Sequence, residues 1–192
     1  VMTAGEEADW LQPAPEGAST PHHRANLARW LTDLDGGAGA LVARVIANRI
    51  WQHHFGRGIC ATPNDFGYLG ERPTHPVLLD WLATELVSKK WSLKQMHKVI
   101  MLSQAYQMSS KGQAANLAKD PDNKLFWRFN MRRLTAEELR DSVLATTGRL
   151  NRKMGGPSIF IKLPPEVLAT SSTKGGKWGN SPPEEQTRRS VY

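Results

Sequence analysis

The sequence lacks several features that would place it quickly in a class of protein. Its only cysteine, Cys60, cannot form a disulfide within the chain, build a cysteine-based zinc site or supply a CxxCH haem attachment. The longest apolar runs, such as 99–102, are much shorter than the roughly 20 residues of a membrane-spanning helix. Residues 1–10 contain no basic and then apolar stretch typical of a signal peptide. We therefore predict no metal, no haem and no membrane span in this chain.

The composition is that of a folded, basic protein. Hydrophobic residues make up 40% of the 192 positions and charged residues 22%, a balance that supports a core and argues against intrinsic disorder. Lys and Arg number 25 against 18 Asp and Glu, so the net charge is +7. This charge favours anionic partners, namely nucleic acid, anionic polysaccharide or an acidic protein surface.

Hydrophobic periodicity predicts a mainly α fold with an irregular helical domain. We interpret residues 1–19 as an irregular N-terminal arm, 20–150 as a helical core domain, and 151–192 as a loop-rich extension packed on the same domain and truncated. Predicted helices start at an N-cap Thr20 followed by Pro21, at Leu41, at Pro76, and at capping boxes opened by Ser92 and Thr135. The first is predicted to end near 36 and the second at 55. The third extends beyond 86, the fourth ends near 106 and the fifth ends near 148.

The segments between these helices are predicted to be loops. Residues 56–73 form a long glycine-rich loop of a kind that is often functional, and residues 109–120 are polar. The C-terminal third is rich in Pro and Gly, with one short strand expected at Ser158–Ile161 and another beginning at Arg189. Because that second strand is interrupted, we expect the isolated chain to self-associate or to need flanking sequence for solubility.

Polar residues cluster in two segments, 48–66 and 132–141. Each segment contains more Arg, Asn and Asp than a helix needs, so we predict that the two meet in space and neutralise each other. The candidate network residues, with one histidine from the next helix entry, are Asn48, Arg49, Trp51, His53, Arg57, Asp65, His75, Arg132, Arg133, Glu137, Arg140 and Asp141.

Two chemical alternatives exist for these residues. Glu137 and Asp141 share a helical face and could act as acid and base, but glycosidase pairs normally flank the substrate bond, and an ion-pair network is favoured. The adjacent His53 and His54 point about 100° apart and would need His75, His97 or Asp65 to hold a metal. We favour a role for His53 in hydrogen bonding the glycine-rich loop and for His75 in capping a helix.

A third cluster combines basic and aromatic residues. Between positions 124 and 153 there are eight Lys and Arg against three Asp and Glu, interleaved with Phe126, Trp127 and Phe129. Such a mixture suits single-stranded nucleic acid or sugar rings. We favour the simpler interpretation, in which the aromatic rings are core and the cations form its solvated rim.

Many ordered sequence blocks resemble one family. The most specific begins Asn48-Arg49-Ile50-Trp51-Gln52-His53-His54 and continues to residue 59. Further blocks lie at 5–7, 62–67, 74–76, 78–82, 91–94, 106–110, 120–123, 132–134, 137, 140–142, 148–150, 154–158, 163–165 and 181–184. In these blocks the chain resembles the planctomycete-type domain of unknown function numbered 1553. Cys60 departs from that pattern, which more often has an aliphatic residue there.

The resemblance implies a context rather than a reaction. Similar domains are C-terminal modules of large exported proteins that often contain a separate c-type cytochrome module, so haem would belong to another module and the location would be extracytoplasmic. We expect a non-catalytic binding or docking module whose partners are neighbouring domains of the same polypeptide. The alternative is a hydrolase or oxidoreductase module acting on anionic carbohydrate. Nucleic-acid binding ranks last.

Overall fold

The protein is described by a computed structural model that covers residues 12–20, 22–169 and 178–190. Within these ranges the chain forms seven helices and no sheet, which confirms the mainly α prediction. The helices are α1 (His23–Thr32), α2 (Gly39–Phe55), α3 (Pro76–Ser88), α4 (Leu93–Met101), α5 (Ala114–Lys119), α6 (Ala136–Thr146) and α7 (Pro165–Ala169). None of the described helices is long and apolar enough to cross a membrane.

The first helix begins later than the predicted cap at Thr20. Its N-cap is His22, whose backbone is left-handed with a φ of 54° and whose carbonyl accepts the Asn26 N–H at 3.0 Å. The next helix, α2, ends as predicted at Gly56, where a φ of 80° suits a residue without a Cβ. Helix α3 has Pro76 in its first turn, as expected.

The two predicted capping boxes have different outcomes. At α6, the Thr135 hydroxyl accepts the Glu138 N–H at 3.2 Å and the Glu138 carboxylate accepts the Thr135 N–H at 2.9 Å, so this box is confirmed. At α4, Ser92 occupies the N-cap position but its side chain makes no capping bond, so that prediction is wrong. The helix also ends at Met101 rather than near 106, because residues 102–106 turn back through bonds to Ser103.

Two short helices correct the loop predictions. Helix α5 lies inside the 109–120 segment, and α7 lies in the C-terminal third. The strand expected at Ser158–Ile161 is not formed: the Ser181 N–H donates to the Phe160 carbonyl at 3.1 Å, and the Phe160 N–H donates to the Ser181 hydroxyl rather than to a backbone partner. Among the described residues, a single bridge joins Asn151 to Arg188. The end of the strand predicted from Arg189, at 191–192, lies outside the described residues.

The chain divides into two compact units, one within residues 1–131 and one within 132–192. This division assigns α6 to the C-terminal unit, whereas the sequence-based boundary at 150 assigned it to the helical core. That the 151–192 extension packs on the helical domain stays a prediction. We call the two parts the N-terminal unit and the C-terminal unit.

The N-terminal unit contains the hydrophobic core. Helices α2, α3 and α4 pack around it, and the Trp51 ring stacks on Phe55 at a centroid distance of 4.1 Å. Phe126 is buried edge-on against Trp51, and Phe129 packs against the same cluster, in line with the favoured interpretation of this aromatic segment. Trp127 is half-buried with the Arg128 guanidinium 5.1 Å from its ring. The core therefore fixes the C-terminal end of α2, from which the next loop leaves.

Candidate functional site

The segment after α2 closes into a loop through its own backbone. The Thr74 N–H donates to the Ile59 carbonyl at 2.9 Å, and the Thr74 hydroxyl donates to the same oxygen at 3.2 Å. We call residues 59–74 the closed loop. Since Ile59 is fully buried, the base of the loop is anchored in the core.

Asn48, on α2, holds the closed loop at Cys60 through two hydrogen bonds. Its side-chain oxygen accepts the Cys60 N–H at 2.9 Å, and its amide donates to the Cys60 carbonyl at 3.0 Å. Both backbone groups of Cys60 are therefore satisfied by one buried side chain. Gly58 allows this approach, because a Cβ there would lie 2.7 Å from the Asn48 amide nitrogen. The Cys60 thiol is also buried and donates to the Glu71 carbonyl at 3.2 Å.

Thr62 and Asp65 shape the middle of the closed loop. The Thr62 hydroxyl donates to the Asp65 carbonyl at 2.8 Å and accepts the Glu71 N–H at 3.0 Å. The Asp65 carboxylate accepts the Gly67 N–H at 2.8 Å. A side chain at Gly70 would overlap the Asp65 carbonyl, so glycine is required there. The hydrogen bonds of Asp65, a predicted site residue, therefore stabilise the conformation of the loop.

Two arginines of the predicted set flank the closed loop. Arg49 donates from Nη2 to the Asn64 side-chain oxygen at 2.6 Å. Arg57 lies 3.6 Å from the Glu71 carboxylate, while its buried Nε has no partner among the described residues. Both guanidinium groups therefore hold loop side chains of the same unit.

The tip of the closed loop is apolar and fully exposed. A turn closed by the Gly70 N–H on the Gly67 carbonyl at 3.2 Å projects Tyr68 and Leu69, which are 102% and 88% exposed. Large apolar side chains displayed together on a hydrogen-bonded loop are typical of contact sites. The loop was predicted from its length and its glycines, whereas the two residues at its tip were not predicted.

Two of the histidines form a hydrogen-bonded pair, although the sequence had suggested them only as possible members of a metal site. His54 on α2 and His97 on α4 share a hydrogen bond of 2.9 Å between Nε2 and Nδ1, and their rings pack edge to face. Burial, together with the nearby His97 and His53, lowers the pKa of His54 below its ordinary 6.5. His53 itself is exposed.

His75 does not cap its helix as predicted. It occupies the N-cap position of α3, but its side chain makes no capping bond. Its Nδ1 instead lies 3.0 Å from the Thr74 hydroxyl, and its ring packs against Phe126. Trp51, another predicted site residue, is a core residue whose buried Nε1 has no hydrogen-bond partner among the described residues.

In the C-terminal unit, Arg140 and Asp141 form hydrogen bonds with the final described segment, residues 186–190. Arg140 donates to the carbonyls of Gln186 at 2.5 Å and Arg188 at 2.9 Å. The Asp141 carboxylate accepts the Ser190 N–H at 3.0 Å and the Ser190 hydroxyl at 2.9 Å. We call these two side chains and residues 186–190 the C-terminal clamp. Arg140 and Asp141 therefore have partners within their own unit, and the predicted network with 48–66 stays a prediction.

Arg188, a buried residue of the clamp segment, was not predicted as a site residue. It is 0% exposed, donates to the Glu185 carboxylate at 2.9 Å and donates to the Gly155 carbonyl. A buried arginine of this kind is stabilised by the acceptors that surround it. It ties the 155–157 turn to the C-terminal segment.

The other predicted residues lie at the start of α6. Arg132 forms a two-bond contact with Glu138, at 2.9 and 2.6 Å. This contact, with the Thr135 N–H, lowers the pKa of Glu138 to about 2. Arg133 and Glu137 are exposed and form no ion pair within the described ranges. The predicted meeting of 48–66 with 132–141 joins two separate units and stays a prediction.

These arrangements favour structural rather than chemical roles for the candidate residues. The Glu137 and Asp141 pair is divided, since Asp141 is engaged by Ser190 while Glu137 faces solvent. Across the described part of the chain, no three His, Cys, Asp or Glu side chains cluster in a way that could hold a metal ion. What the geometry supplies is a braced loop with an apolar tip.

Comparison with known proteins gives one match. The family model PSD1, a protein of unknown function (DUF1553), matches residues 23–192. No curated protein and no solved structure matches the chain.

Proposed function

Since the chain belongs to the PSD1 family of proteins of unknown function, DUF1553, we propose its role from its own residues: it is a non-catalytic docking module. We further propose that it serves a larger exported, cytochrome-c-associated polypeptide. That wider context rests on the resemblance described above.

The exposed tip of the closed loop is the observation that supports docking. Tyr68 and Leu69 project fully into solvent from a loop whose base is tied to the core and whose middle is tied to itself. A rigid loop loses little conformational entropy on binding, and a tyrosine at its tip is a residue type that dominates interface energies. Two adjacent exposed side chains on a tight turn fit an apolar pocket on a protein partner.

The use of the polar residues also supports docking over catalysis. Asn48, Thr62 and Asp65 direct their polar atoms to the backbone of the loop. Catalytic groups, in contrast, need a polar atom within reach of a substrate. We propose that the partner is a neighbouring domain of the same polypeptide.

Site-directed photo-crosslinking tests this proposal. A photoreactive phenylalanine analogue replaces Tyr68 in the full polypeptide, and mass spectrometry identifies the crosslinked peptide. We expect a crosslink from position 68 to another domain of that polypeptide. The same analogue at Lys111, an exposed loop position of the same unit, is the control.

Two results would overturn the proposal. One is a yield of crosslinked product at position 68 no higher than at 111. The other is turnover of an acidic glycan library by the purified chain, which would favour the enzyme alternative. The double variant Tyr68→Ala, Leu69→Ala is expected to keep its melting temperature, because both side chains are exposed, and to reduce the association of the purified chain with the crosslinked domain.

A further inference from the structure

The C-terminal unit contains a cleft that shares Gln186 with the clamp and is otherwise lined by residues outside it. Its volume is about 650 Å³, within the range of small-molecule sites. Among the residues that line it are Lys162, Trp178, Asn180 and Gln186. The cleft therefore combines an aromatic ring, a lysine and two amide side chains.

The Trp178 ring is held in place yet half exposed. Its Nε1 donates to the Ile161 carbonyl at 2.7 Å, and the Phe160 ring meets it edge-on at a centroid distance of 5.5 Å. Gly179 lets this contact form, because a Cβ there would lie 2.6 Å from the Phe160 ring. With its polar atom engaged and 49% of the residue exposed, Trp178 offers an apolar surface at a fixed angle.

The two amides are oriented by each other. Gln186 donates to the Ser181 carbonyl at 2.6 Å and to the Asn180 side-chain oxygen at 3.2 Å, while its own oxygen accepts the Lys162 N–H at 3.1 Å. The Asn180 oxygen is thereby occupied, which leaves its NH₂ group as a donor without a partner among the described residues. The Lys162 side chain is exposed and forms no ion pair within the described ranges.

We propose that this cleft binds a sugar ring that carries an anionic group. The indole face suits the apolar face of a pyranose, the Asn180 amide suits a hydroxyl or carboxylate oxygen, and the Lys162 ammonium suits the negative charge. The net charge of +7 attracts polyanions to the chain as a whole. This proposal uses Lys162, Trp178, Asn180 and Gln186, with the contacts of Phe160 and Ile161 to Trp178, and does not depend on docking through the closed loop.

Calorimetric titration of the whole chain with three defined glycans tests the proposal. A tetramer of galacturonic acid carries carboxylates, a chondroitin sulfate tetrasaccharide carries sulfates, and cellotetraose is neutral. We expect at least one acidic glycan to bind about tenfold or more tightly than cellotetraose at low salt. The glycan that binds identifies which anionic group the cleft accepts. Equal binding of all three, or no binding, would overturn the proposal.

Variants separate the cleft from general charge attraction. Trp178→Ala is expected to weaken binding about tenfold or more, as removal of an aromatic stacking platform does. Because this variant also removes the bond to Ile161, Lys162→Gln serves as a second test and should weaken the acidic glycan roughly three- to tenfold. Arg152→Gln removes one exposed charge from the same unit and should change binding less than twofold. If Arg152→Gln weakens binding as much as Lys162→Gln, the attraction is diffuse and the proposal fails.

Discussion

The closed loop and the C-terminal clamp hold their chain segments by different forces. In the closed loop, a neutral amide buried beside an apolar core satisfies both backbone groups of Cys60. In the clamp, charged Arg140 and Asp141 bond three backbone groups, namely the carbonyls of Gln186 and Arg188 and the Ser190 N–H, and the described part of that unit contains no buried hydrophobic residue. A neutral buried bond is insensitive to salt, whereas a partly exposed ionic one is screened. Hydrogen bonds that hold the backbone in similar ways should therefore differ in their sensitivity to salt.

The largest expected difference between the regions concerns apolar truncation. Leu86 is fully buried in the N-terminal unit, so Leu86→Ala should lower the free energy of unfolding by about 2–5 kcal/mol. Leu139 on α6 is 56% exposed, so Leu139→Ala should cost no more than about 0.5 kcal/mol. Urea unfolding of both variants measures this. Equal losses would show that the two units do not differ in their dependence on a core.

Removal of the buried amide has the next largest expected effect. Asn48→Ala leaves the buried Cys60 N–H and carbonyl without partners, and an unsatisfied buried group costs about 1–3 kcal/mol. Hydrogen exchange at Cys60 should accelerate together with the loss of stability. Asn64→Ala, which removes an exposed amide of the same loop, is the control and should change stability little. A loss for Asn48→Ala no greater than for Asn64→Ala would refute the bracing role.

A smaller effect is expected in the clamp. Asp141→Asn keeps the shape of the side chain but removes the charge that accepts two bonds from Ser190, so a cost of about 1–2 kcal/mol is expected for this partly exposed group. Glu137→Gln removes a charge from an exposed position of the same helix and should be nearly neutral. Chemical denaturation at low salt compares the two. The prediction fails if both variants behave alike.

The smallest expected effect is that of pH, and the two units should respond in different ranges. The pKa of His54 is lowered in the folded chain, so the unfolded chain binds more protons, and stability falls as pH drops below about 6.5. The pKa of Glu138 is lowered from 4.5 to about 2, so its contribution is present above pH 4.5 and is lost between 4.5 and about 2. His54→Gln should remove the first loss, and Glu138→Gln the second. Melting temperatures recorded across this range measure both effects.

Long periodic helices were predictable because their apolar spacing and end signals agree. Helices α2 and α3 follow such patterns, and at α6 the capping box predicted at Thr135 is present. The Ser92 box carries a similar pattern but depends on a side-chain rotamer that spacing does not determine. Helices α5 and α7 have six and five residues, too few for a periodic signal.

The hydrogen-bond partners in the candidate site could not be predicted from the sequence. Asn48, Arg140 and Asp141 were identified because their segments are rich in polar residues, yet Asn48 pairs with a backbone, which no side-chain pattern indicates. The His54 and His97 pair joins residues 43 positions apart, and the two tip residues look ordinary in the sequence. Only the fold brings such groups together or leaves them exposed.

The most direct measurement of the central claim is residue-resolved hydrogen exchange at low and high salt. The account predicts that the Cys60 amide, held by the buried Asn48, exchanges at the same rate at both salt concentrations. The Ser190 amide, held by the Asp141 carboxylate, should exchange faster at high salt. If salt accelerates Cys60 and Ser190 equally, or leaves both unchanged, the distinction between a core-braced loop and a charge-held segment is contradicted.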